Sequence, residues 1–173
     1  MADDILTDRH RRLLSHWRSL IPAGRDIPPR RSFDPVDIPD ILSFLVLADI
    51  EGQELRFRVV GTEMTEAWGK DYTGQTLSQI MGGEYHDFIR DLFDTCISSR
   101  APVVSHSRFQ WDRGRHLDTI RIMVPLASNA DPDRVGHVVV GQSFDYSQTG
   151  PQSPRVYSLK DGTFAEISRT ILT

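Results

Sequence analysis

The chain has a single cysteine, Cys96, in 173 residues, so no internal disulfide can form. No stretch approaches the roughly 20 apolar residues that a membrane-spanning helix requires. The N-terminus carries Asp3 and Asp4 and lacks the basic-then-apolar layout of a secretory signal. These absences point to a cytoplasmic compartment and no membrane. A basic excess is missing too: 20 Lys and Arg against 24 Asp and Glu give a net charge of -4 and a pI near 5.8. No global positive field is available to gather phosphates, so nucleic acid is not an expected partner. The local exceptions, Arg9, Arg11, Arg12, Arg18, Arg25, Arg30 and Arg31, read as a solvated face or a partner contact.

Catalytic signatures are missing as well. There is no nucleophile motif, metal-ligand pair or phosphate loop. None of the six histidines (His10, His16, His86, His106, His116, His137) is spaced to place two ligands on one helix face. Neither an enzyme nor a metal protein is expected. Asp34, Asp37 and Asp40, spaced by three beside Pro35 and Pro39, suit turn and capping duties.

What is present suffices for one core. With 39% hydrophobic and 25% charged residues the composition is that of a globular domain, and at this length roughly 70% of the unfolded surface can be buried. Leu13, Leu14, Trp17, Leu20 and Ile21 recur at three- and four-residue steps, a helical stripe that Thr7 would cap and Pro22 would end. A proline-rich arm follows, irregular but ordered if Phe33 and Ile38 are buried. Ile41 to Ile50 and Leu55 to Val60 predict a hairpin around Gly52. Short helices are predicted over Thr62 to Trp68 and Gln75 to Met81, and a longer one over Glu84 to Ser98. On the last, Tyr85, Phe88, Ile89, Leu92, Phe93, Cys96 and Ile97 form one stripe. Three strands follow, at Val103 to Trp111, His116 to Leu126 and Val135 to Phe144. In the second, Ile120, Ile122, Val124 and Leu126 share one face and Thr119, Arg121 and Met123 the other. The division expected is a helix and arm over 1–40, a core over 41–146, and a linker with tail over 147–173. The tail reads as a hairpin around Asp161-Gly162, with Phe164 and Ile167 after the turn.

This order, two strands, helical connector, helix and three strands, resembles a PAS core. Val-Val-Gly-Thr-Glu-Met at 59 to 64, followed by Gly-Lys-Asp-Tyr-Thr-Gly-Gln-Thr-Leu at 69 to 77, resembles the second strand and connector of PAS domains. The N-terminal helix with Trp17 and the Phe33-Asp34-Pro35 arm resemble a short proteobacterial PAS subfamily. The likeness runs from about residue 10 to 145 and implies an α+β fold: a five-stranded antiparallel sheet with helices over one face, plus a flanking N-terminal helix. It also implies a non-catalytic sensor and signalling module, with a pocket between the sheet and the helices.

Strand parity and the helix stripe nominate Phe57, Met64, Trp68, Leu77, Phe88, Leu92, Ile122, Val124 and Val138 as pocket residues, although plain core packing is the first expectation for each. Ser105, Ser107, Arg121, His137 and Gln142 are polar among apolar neighbours and would need partners if buried. No cofactor is required. His86 sits near the start of the helix that carries the axial ligand in haem-binding PAS domains, but it is offset from the stripe and beside Asp87, so haem is not expected. No cysteine lies between Thr62 and Gly83, which excludes covalent flavin photochemistry. Leu13, Leu14, Trp17 and Leu20 are the expected seam of a homodimer. A small ligand or a regulatory protein would be the signal. Two competing readings are an interaction module with a filled core and a small enzyme using His137 or Arg121.

Overall fold

The computed structural model describes residues 2–112, 115–148 and 163–173. After a short helix α1 (Ala2–Ile5), helix α2 (Asp8–Ser19) starts at Thr7. The Thr7 hydroxyl accepts from the His10 amide while the His10 ring accepts from the Thr7 amide, a reciprocal cap with histidine in the place usually held by Glu or Gln. The proline-rich arm runs through three 3-10 turns (Arg30–Ser32, Pro35–Asp37, Pro39–Phe44), and Phe33 and Ile38 are buried as expected. Asp34 caps the second of these turns through the Val36 amide. The Arg100 guanidinium, 74 residues away in sequence, clamps Asp26 and holds its carboxyl down at about 2.

Strands β1 (Leu45–Glu51) and β2 (Glu54–Val60) form the predicted hairpin. Helices α3 (Thr62–Trp68), α4 (Leu77–Ile80) and α5 (Gly83–Ser99) follow, and then β3 (Val103–Asp112), β4 (Arg115–Ala127) and β5 (Val135–Asp145). The sheet is antiparallel and holds one strand more than expected, in the order β2-β1-β5-β4-β3-β6. The extra strand β6 (Thr163–Ile171) comes from the tail and pairs along β3, so Phe164 and Ile167 are sheet residues. The first half of the expected tail hairpin lies outside the described residues.

Both faces of the sheet are covered. Helix α5 packs on one, against β3, β4, β5 and β6, while α2 packs on the other, against β4 and β5. Leu13, Leu14 and Trp17 are buried there, and the Trp17 indole donates to the Pro125 carbonyl at 2.7 Å. The stripe expected as a dimer seam is therefore used inside the chain, because the sheet offers it an apolar face of Ile122, Val124 and Leu126. Gly141 permits the fit: a Cβ there would lie 2.5 Å from the Phe44 ring and 3.1 Å from Leu13.

Candidate functional site

Opposed residues in an antiparallel pair share a face. The register sets Arg121 opposite Gln142 and Ser105, and Met123 opposite Val140 and Val103, so all six point toward α5. Ile122 and Val124, expected in the pocket, belong to the opposite face beneath α2. Parity could not reveal this, because Ile122, Met123 and Val124 are all 0–1% exposed and burial does not alternate. His137 opposes Asp49 and Leu126, away from Arg121, and its ring meets the Asp49 carboxylate at 2.6 Å.

Between the sheet and α3 to α5 lies a small cavity, about 40 Å³. Its walls are Val46 and Phe57 from the hairpin, Trp68 and Tyr72 from the connector, and Ile80 and Met81 around α4. Tyr85, Ile89, Leu92 and Phe93 of α5 and Arg121, Met123, Val140 and Gln142 of the sheet complete them. Of the pocket candidates named above, Phe57, Trp68, Leu92, Arg121 and Gln142 line this cavity. Met64 and Leu77 are buried but do not line the cavity. Val138 lies on the cavity's face of the sheet, one pair beyond the lining, and Phe88 packs tilted against Phe164 of β6 with ring centroids 4.4 Å apart. Tyr85, Ile89 and Phe93 belong to the stripe already legible in the sequence; the 3.6-residue period shows such a stripe but not which part of it meets a cavity.

The polar groups here are unusual in kind. Arg121 is 2% exposed; its guanidinium donates to the Ser107 hydroxyl at 2.8 Å and the Tyr85 hydroxyl at 2.9 Å. The Phe88 ring centroid lies 5.9 Å from it. Ser105, directly opposite Arg121, is fully buried and its hydroxyl has no hydrogen-bond partner among the described residues. Burial pushes the Tyr72 phenol well above its ordinary value, and the ring is edge-on to Phe57 and Trp68. His86 faces outward instead, bonded to Ser78 and Asp87 and absent from the cavity wall. Cys96 is buried, which raises its thiol far above the reactive range.

A second feature joins the cavity wall to the far face. Arg9 of α2 grips Glu63, in the first turn of α3, through two bonds of 2.6 and 2.7 Å, and the Ser43 hydroxyl adds a third at 2.7 Å. Arg9 also lies 4.4 Å over the Phe44 ring. The Arg9 guanidinium holds the Glu63 carboxyl below its usual value. Trp68, at the other end of α3, lines the cavity.

A family model described as a PAS domain matches residues 7–139. The chain belongs to the PAS family. Such domains are in general sensory modules without catalysis of their own, and the α+β fold here is PAS-like. Among solved structures, one titled as an RNA-binding light-oxygen-voltage receptor matches with 17% sequence identity and a TM-score of 0.41. The match covers 72% of this chain and 37% of that one, so the chain spans little more than a third of that receptor's length. No curated protein matches the chain. Among the described residues, no helix of this PAS protein is long and apolar enough to cross a membrane.

Proposed function

We propose that the chain is a sensor that takes a small molecule into the cavity under α3 to α5 and passes the resulting change to its N-terminal helix. The observation that carries this reading is a largely apolar cavity whose wall includes the polar side chains Arg121 and Gln142. Pockets that recognise small molecules are built this way: apolar and aromatic walls for affinity, a few placed polar groups for orientation. Transmission follows from α3. A ligand that displaces Trp68 moves the helix whose other end holds the Arg9–Glu63 clamp, and so biases the seating of α2 on the sheet. The signal then passes to a regulatory protein or a second copy of the chain, through surface other than the buried stripe of α2.

The small volume supports a second reading, an interaction module whose core is filled by its own side chains. Native mass spectrometry with an absorbance spectrum of the purified protein separates the two. A bound small-molecule mass or a chromophore band supports the sensor and gives the ligand's class. A clean apo mass, with no small molecule shifting the backbone amide resonances of the cavity wall, would overturn it in favour of the filled module.

A further inference from the structure

We propose that the cavity selects a small carboxylate and that Arg121 holds its carboxyl group. This deepens the sensor reading above and rests on it. The starting point is a charge without a counter-charge. Arginine keeps its charge in proteins, and a buried charge is stable only when it is paired and hydrogen-bonded. Four arginines nearer the surface have such a carboxylate: Arg9 pairs with Glu63, Arg58 with Asp49, Arg100 with Asp26 and Arg108 with Asp118. Arg121, the one buried arginine among the described residues, hydrogen-bonds the neutral hydroxyls of Ser107 and Tyr85 and lies near the Phe88 ring, and among the described residues no Asp or Glu lines the cavity.

The other polar groups fit the same occupant. Tyr85, having accepted from Arg121, has its own hydroxyl proton to give, Tyr72 is held in its protonated form, and the Gln142 amide can donate. A ring of donors around a fixed guanidinium suits an acceptor-only, planar group, which a carboxylate is and which arginine recognises through two parallel bonds. Trp68 and Phe57 offer an apolar wall for a short carbon tail. The volume, about 40 Å³, holds only a few heavy atoms, on the order of three water-sized spheres, so the ligand is of the size of acetate.

The test titrates the full chain, at ionic strength held constant with chloride, with sodium acetate and with its neutral isostere acetamide, following the backbone amide resonances. The expected result is saturable acetate shifts at residues 121–123 and 140–142, with acetamide at least about tenfold weaker, as for loss of a charged hydrogen bond. Arg121→Gln should bring acetate down to the level of acetamide. Tyr85→Phe, which keeps the charge but removes one donor, should weaken acetate severalfold while leaving it ahead of acetamide, and equal binding of the two probes to this variant overturns the proposal if Arg121→Gln does not fold. Equal shifts from both probes overturn the carboxylate proposal and leave the ligand cavity standing. Shifts from neither overturn the proposal and the sensor reading together.

Discussion

Acidification should loosen α2 from the sheet through His10. The ring is fully buried; its Nδ1 accepts from the Thr7 amide and its Nε2 lies 3.3 Å from the Ile120 carbonyl, so the neutral Nε2-protonated form fits both contacts. Burial first, and then the charges of Arg9 and Arg11, lower its pKa from 6.5 to about 4. Because the folded-state value is depressed, the unfolded chain takes up the proton first. The stability is present above pH 6.5 and is lost as pH falls toward 4. Between pH 7 and pH 5 the linkage relation gives a loss of about 2 kcal/mol from this one residue. The control is His10→Gln, since glutamine serves the capping position and cannot titrate. Urea unfolding at pH 7 and pH 5 should show the wild type losing about 2 kcal/mol more than the variant, or roughly 4–8 °C in Tm. The range stops at pH 5 to stay above the carboxylates with lowered values, such as Glu63 and Asp118. Equal losses in both proteins would refute the reasoning.

Trp17→Ala should cost about 3–5 kcal/mol, because it empties a buried site and orphans the Pro125 carbonyl. The loss should be the same at low and high protein concentration in urea unfolding, and a concentration-dependent loss would restore the dimer seam. For the Arg9–Glu63 clamp, a double-mutant cycle with Arg9→Met and Glu63→Gln should return a coupling of about 0.5–1 kcal/mol, since both side chains are partly exposed. The coupling should fade as pH drops below the ordinary glutamate range, because the Glu63 pKa is lowered in the folded state. Gly141→Ala should destabilise by about 1–3 kcal/mol through its clash with Phe44, and α2 and the arm should exchange amide hydrogens faster than α5. Unchanged exchange in α2 would show that the close approach of Phe44 does not govern its seating.

The sequence by itself determined the elements, because their signals are local. Thr7 caps α2, the stripes of α2 and α5 repeat at helical spacing, and the Gly52 turn separates two strands whose order matches a PAS core. It also picked out Arg121 and Gln142, as polar residues in apolar surroundings. Only the tertiary structure decided which sheet face met which helix. Covering both faces removes the alternation that parity depends on, so Ile122 and Val124 changed sides while Arg121 and Met123 took the cavity. The same covering turned the α2 stripe from a seam between copies into core. The sixth strand was equally out of reach. The pairing of β6 with β3 joins residues some sixty positions apart, and the backbone hydrogen bonds that fix it carry no side-chain pattern. The missing counter-charge of Arg121 is likewise tertiary: a residue type shows that a charge exists, and only the packed neighbours show that nothing in the described chain balances it.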